Sequence, residues 1–305
     1  MGNRLKSSGT RPRRGRIGWI AALASLLYLF LASRVLLQDP LLELLESVPL
    51  KDRVGADTAG ASPTSFEIRD RSFLLRQDQQ GVAETDKSGK VLWSREFGAL
   101  MTTPSISSTL SAWGLLDGSV QILDRDGALL HDLRPATKGV VSKYPCVYAV
   151  AVSENGESVA VLYGLDPQYF LVFVRKGDMY ELAHRIEMKR QVRNAQAASF
   201  SASGSCVVAR TADGLAYYDT VLERGQIIQP RNFSGELELR IEPIGADGFA
   251  FLAAKGDERF AGLIRRGSLE ALFPVGKGSA GLSAEGDDIE IWDDRYIHRY
   301  GKAKR

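Results

Sequence analysis

The sequence predicts an all-β domain of repeated four-stranded units behind one N-terminal transmembrane helix. Three observations carry that prediction. A basic tail runs into a long uncharged apolar stretch, a polar linker follows it, and a hairpin pattern recurs about every 40–50 residues through the rest of the chain.

The 305 residues include 39 Lys+Arg and 37 Asp+Glu, a net charge of +2, with 44% apolar and 25% charged residues. This is a globular composition and excludes wholesale disorder. Two cysteines exclude a disulfide-dense scaffold and a four-cysteine zinc site. The small net charge hides an asymmetry. Residues 1–16 hold Arg4, Lys6, Arg11, Arg13, Arg14 and Arg16 and no acid, a net +6 that leaves −4 for residues 17–305.

Residues 17–33 (IGWIAALASLLYLFLAS) carry no charge, and Arg34, Val35, Leu36 and Leu37 follow. As an α-helix, residues 17–37 would rise about 31 Å, enough for a hydrocarbon core of about 30 Å. Backbone in lipid must satisfy its own hydrogen bonds, which selects a helix for such a stretch. Ile17, Trp19, Leu26, Leu27, Phe30 and Leu31 are the expected membrane-anchor residues, with Trp19 at the near interface. The Arg34 stem lets its guanidinium reach water at the far one. A cleaved signal peptide would share the basic start, but its apolar stretch is shorter and its cleavage site smaller than Leu31-Ala32-Ser33. No cysteine follows the stretch, which excludes a lipoprotein anchor.

Six cations precede the span, whereas Asp39, Glu43 and Glu46 follow it. The positive-inside rule then puts residues 1–16 in the cytoplasm and the C-terminal domain outside it, in a periplasm if the cell is bacterial. The expected location is the cytoplasmic membrane, with a single pass. The tail's position beside the span accounts for its charge, so no nucleic-acid partner is expected.

Pro40 ends the span, since proline cannot continue a helix. Residues 41–48 (LLELLESV) read either as a short amphipathic helix on the bilayer or as an extension of the anchor. Residues 49–64 have the Gly, Ala, Asp, Ser and Thr content of a tether. Residues 38–65 are therefore assigned to a juxtamembrane helix and linker, and residues 66–305 to the β domain.

Within residues 66–305 a hairpin with a polar glycine turn recurs at 81–97, 118–133, 169–186, 214–229 and 259–275. Its turn glycines are Gly89, Gly127, Gly177, Gly225 and Gly267, spaced 38, 50, 48 and 42 residues apart. Each copy is preceded by a second hairpin-like pair, seen at the turns Asn155-Gly156, Ser203-Gly204 and Asp247-Gly248. Each unit thus has an inner and an outer strand pair, the plan of a β-propeller blade. About 40 residues per blade gives six blades, with seven as the alternative count. Residues 66–71 are expected to supply the missing strand of the last blade and close the ring.

The spacing of Asp86, Gly89 and Trp93 resembles the outer hairpin of quinoprotein-like and WD-repeat-like propellers. The pattern from Ser153 to Gly156, and again from Ser201 to Gly204, is similar to the inner hairpin of the WD-repeat family. The resemblance covers roughly residues 66–300 and implies the architecture, together with a scaffold role of the kind filled by envelope-assembly propellers. One Trp-Asp pair occurs, Trp292-Asp293, and no Gly-His pair.

The residues offer little chemistry. His131, His184 and His298 fall in different units, and no cysteine or carboxylate pair stands at ligand spacing. No Gly-x-Ser-x-Gly elbow or phosphate-cradling glycine loop is present. No catalytic residue, cofactor or metal is expected. Trp93 reads as packing between blades, and Cys146 and Cys206 as two buried thiols. Lys138, Lys143, Lys189, Arg190 and Arg193 flank two long connections between units and are the candidate partner-docking residues, because recognition concentrates on loops held by a rigid scaffold. The expected function is a membrane-anchored, non-enzymatic scaffold that binds a protein partner in the cell envelope. The alternative is a ligand sensor or enzyme with its site in the central channel.

Overall fold

The computed structural model describes residues 42–49, 65–68, 70–76, 78–230, 237–275, 280–286, 288–292 and 296–302. All belong to the unit Leu42–Arg305. The expected transmembrane helix, with its anchor residues, lies outside the described residues. Among the described residues no helix is long and apolar enough to cross a membrane.

The described chain forms six four-stranded antiparallel sheets, the lower of the two expected blade counts. Blade 1 holds β2 (Ser65–Ile68), β3 (Arg71–Leu75), β4 (Gly81–Thr85) and β5 (Val91–Glu96). Blade 2 holds β6 (Met101–Ile106), β7 (Leu110–Leu115), β8 (Val120–Asp124) and β9 (Leu129–Leu133). Blade 3 holds β10 (Tyr144–Val152), β11 (Ser158–Leu165), β12 (Tyr169–Lys176) and β13 (Met179–Glu187). Blade 4 holds β14 (Ala198–Phe200), β15 (Cys206–Thr211), β16 (Gly214–Asp219) and β17 (Arg224–Ile228). Blade 5 holds β18 (Glu238–Ile244), β19 (Gly248–Lys255), β20 (Glu258–Arg265) and β21 (Ser268–Val275). Blade 6 is built from β22 (Gly281–Glu285), β23 (Asp288–Trp292), β24 (Tyr296–Lys302) and the first strand, β1 (Leu42–Pro49).

The strand patterns follow from having a neighbour on each side. Middle strands are covered on both faces, so β11 (SVAVLYGL) and β12 (YFLVFVRK) are apolar runs buried over most of their length. The outermost strand is half exposed, and β13 (MYELAHRIE) alternates accordingly. Five apolar clusters fill the contacts between successive blades from blade 1 to blade 6. At blades 3 and 4, for example, Phe170 and Val172 meet Val207 and Ala209.

Two expectations about the first strand are corrected. Residues 41–48 were read as a juxtamembrane helix or an anchor extension, but Leu42–Pro49 is a strand. It pairs antiparallel with β24, from Leu42 opposite Lys302 to Pro49 opposite Tyr296, with a bulge between Leu44 and Glu46. This pairing, not residues 66–71, supplies the missing strand of the last blade. The reason is backbone hydrogen bonding: without β1, the outer edge of β24 would be left open. Ser65–Ile68 instead serves as the innermost strand of blade 1. Gly225, read as a turn glycine, lies inside β17 opposite Tyr218. A side chain there would strike the His184 ring of blade 3.

An antiparallel blade sends its turns to two ends. The turns within inner pairs and within outer pairs emerge on one face, here the turn face. The middle turns and the connections between blades emerge on the other, the loop face.

Candidate functional site

All five candidate docking cations lie on the loop face. Lys138 ends a 3-10 turn at Pro135–Lys138, in the connection from blade 2 to blade 3. Lys143 precedes β10, 3.8 Å from Asp166, and its ammonium lies 5.2 Å from the Tyr144 ring centroid. Lys189, Arg190 and Arg193 belong to the connection from blade 3 to blade 4. Lys138, Lys189 and Arg193 make no ion pair among the described residues.

The second connection is tightly held. Gln168, fully buried in the β11–β12 turn, clamps Val192: its amide donates to the Val192 carbonyl at 3.0 Å and accepts from the Val192 N–H at 3.0 Å. Met188 N–H donates to the Gln168 carbonyl at 2.8 Å, and Gln196 N–H to the Tyr148 carbonyl at 2.6 Å. The Asp213 carboxylate, from the β15–β16 turn, accepts from the Arg190 N–H and from Arg190 Nε, both at 3.1 Å. A ten-residue loop is thereby anchored by two neighbouring blades, the condition for a preorganised recognition surface.

Beside it opens a pocket of about 350 Å³, bordered by Arg190, Arg193, Asn194, Gln196, Arg210 and Leu237. Arg210 projects from β15, is 2% exposed, and donates through Nη1 to the Gly214 carbonyl at 3.1 Å. Burial, reinforced by the charge of Arg190 and opposed by Asp213, pulls its guanidinium down to about 10. It is still cationic at neutral pH. Three of the described lining residues are arginines and none is acidic. A second pocket of about 350 Å³, at the blade 5 end of the loop face, mixes Glu238 with Arg240 and Arg259. Apolar groups also stand exposed on the loop face: Leu116, Val141 and Tyr144.

Among the described residues no group of three or more His, Cys, Asp or Glu could hold a metal ion. The three histidines lie apart in β9, β13 and β24. His131 packs edge-on to Tyr180 (centroids 5.0 Å apart), and His184 stacks on Tyr218 (4.5 Å), each across a blade boundary. Trp93 likewise sits between blades. Its indole leaves no room for a Cβ at Gly127 of blade 2, and its Nε1 donates to Glu84 at 2.6 Å. Cys146 and Cys206 are both buried and free.

Sequence reasoning found the loop cations and missed Gln168, Arg210 and Asp213. Arg210 leaves a trace, as the one charge in the apolar run CVVART. Gln168 and Asp213 are single polar residues in short turns, and nothing local sets them apart.

A family model described as beta-propeller protein matches residues 52–245. No curated protein matches the sequence. Among solved structures the chain is similar to U3-55K, with 12% identity, a TM-score of 0.50 and coverage of 73% of this chain and 70% of that one. It is similar also to a chain of the mitotic checkpoint complex, with 11% identity, a TM-score of 0.51 and coverage of 77% and 72%. At such identities the likeness speaks for the fold alone.

Proposed function

Since the chain belongs to the beta-propeller protein family, we propose that it is a non-enzymatic protein-interaction scaffold. In this reading it is tethered to the cytoplasmic membrane through residues 17–37, and its propeller docks an envelope protein on the loop face. The observation that carries the reading is the state of the loop-face cations. Lys138, Lys189 and Arg193 are unspent by internal ion pairs among the described residues, yet two of them stand on a connection pinned by Gln168 and Asp213. Charge presented on a rigid loop favours association with an acidic surface and steers its approach. The exposed Leu116, Val141 and Tyr144 add the apolar contact area that a protein interface needs. The scatter of the three histidines over three blades supports the non-enzymatic part. The membrane part rests on the charge asymmetry and apolar span of residues 1–37.

Crosslinking in intact membranes tests this. The wild-type chain should capture a discrete partner, and K138E/K189E/R193E, which spares the Arg190–Asp213 pair, should lose it. An unchanged set of captured proteins would overturn the docking face.

A further inference from the structure

The geometry points to a carboxylate-binding pocket between blades 3 and 4, formed by Arg190, Arg193 and Arg210, that takes an acidic side chain from a peptide segment of the partner. This inference rests on the docking reading above and gives it a chemistry.

The pocket differs from ordinary loop charge in three respects. First, it is concave: about 350 Å³ suits a side chain or two of a peptide. Second, its cations are positioned by the fold. Arg210 is rooted in β15 and 2% exposed. Arg190 is oriented by Asp213, which takes both its backbone N–H and its Nε at 3.1 Å, leaving the terminal nitrogens of that guanidinium clear of this contact. Arg193 follows Val192, whose backbone is held on both sides by the buried Gln168 amide. Third, the lining counts three arginines and no acid among the described residues. Arg190 and Arg210 lie close enough for each charge to disfavour the other, with Asp213 opposing that effect.

Among anions, the remaining lining favours a peptide carboxylate. Asn194 presents a side-chain amide, which pairs with a peptide backbone, beside Gln196, whose Nε2 donates to the Asn194 carbonyl at 2.9 Å, and Leu237 offers an apolar contact. Guanidinium forks match the planar carboxylate with two parallel N–H···O bonds. A free phosphate would use the cations and leave the leucine idle.

The test uses the full-length chain in detergent and a fluorescein-labelled triglutamate peptide followed by anisotropy. Binding should be at least tenfold tighter than for the triglutamine counterpart. Charge-assisted hydrogen bonds of this kind make R193Q about tenfold weaker. Arg193 is exposed, so an unchanged denaturation midpoint for R193Q will show that the fold is intact. Equal binding of the triglutamine peptide, or undiminished binding by R193Q, would overturn the inference. So would displacement of the labelled peptide by an equal concentration of inorganic phosphate, which marks a free-oxyanion site. If the peptide does not bind but the crosslinked partner is lost on charge reversal, the docking face stands and the pocket falls. If the peptide binds and no partner is captured, the pocket stands and the scaffold falls.

Discussion

The two faces of the propeller use their polar groups in opposite ways. On the turn face, polar groups of one blade are bonded to the next. Arg71 of blade 1 reaches the carbonyls of Ser107 and Leu110 in blade 2 at 3.4 and 3.5 Å, held in place by its bidentate pair with Glu84 at 2.9 and 2.6 Å. Ser108 N–H donates to Glu154 Oε1 of blade 3 at 2.9 Å. Ser203 and Ser205 of blade 4 donate to Asp247 of blade 5 at 2.9 and 2.7 Å, and Gly245 N–H to the Gly286 carbonyl of blade 6 at 2.6 Å. On the loop face, connections are pinned through their backbones and through the Arg190–Asp213 pair, while Lys138, Lys189 and Arg193 make no ion pair among the described residues. The turn face carries side-chain bonds from blade to blade; the loop face has ion pairs of its own and also keeps three cations without one among the described residues. The proposed docking face can therefore be argued from where hydrogen bonds end, without any likeness to another protein.

Substitutions that separate stability from binding would break or sharpen this contrast. The largest effect belongs to Glu84→Ala, which leaves the Arg71 guanidinium buried without its carboxylate. A stranded buried charge costs about 3–5 kcal/mol, seen as a lower denaturation midpoint. The double variant R71M/E84L should recover most of that loss, because neither buried charge remains.

Next comes Asp247→Ala, which cuts the bond between blades 4 and 5 and should cost about 1 kcal/mol. The Ser205 and Ser203 hydroxyls hold the Asp247 carboxyl below its usual range. A depressed carboxyl stabilises the fold fully above its unfolded-state value, near 4, and the contribution is lost as pH falls through the folded value. The stability difference between wild type and D247A should therefore be constant from pH 7 to about 5 and shrink below about pH 4. A difference that grows on acidification would refute the assignment.

The smallest stability effect is expected from the loop-face variant K138E/K189E/R193E, within about 0.5 kcal/mol of wild type. The same variant should lose its crosslinked partner. If it unfolds the protein, the loop-face cations are structural and the contrast between the faces collapses.

The outer hairpins of blades 1, 2, 3 and 5 were legible in the sequence because polar glycine turns mark them, and Asn155-Gly156 marked the inner hairpin of blade 3, with Gly156 at φ 69°. The inner hairpin of blade 2 escaped because it turns through Ser107-Ser108-Thr109 without glycine, its geometry supplied by the Ser107 hydroxyl accepting from Leu110 N–H at 3.0 Å. Residues 41–48 misled for a different reason. Their leucine spacing suits a helix, and only the open edge of a strand some 250 residues later in the sequence makes them a strand. The candidate site was half legible: charge on long connections is visible in a sequence, but the buried Gln168 and Arg210 that give those charges a fixed pocket become visible only once the blades are side by side.

The pairing of β1 with β24 also imposes an order on folding. Five blades are each made of chain that is continuous in sequence, so each can form its own sheet soon after synthesis. The sixth waits, since its outermost strand precedes the strand it pairs with by some 250 residues. Until β24 emerges, the first strand stays unpaired with its hydrogen-bonding edges bare, and joining the two closes the longest loop in the domain. Completing the sixth blade is thus an entropically costly step that waits for β24.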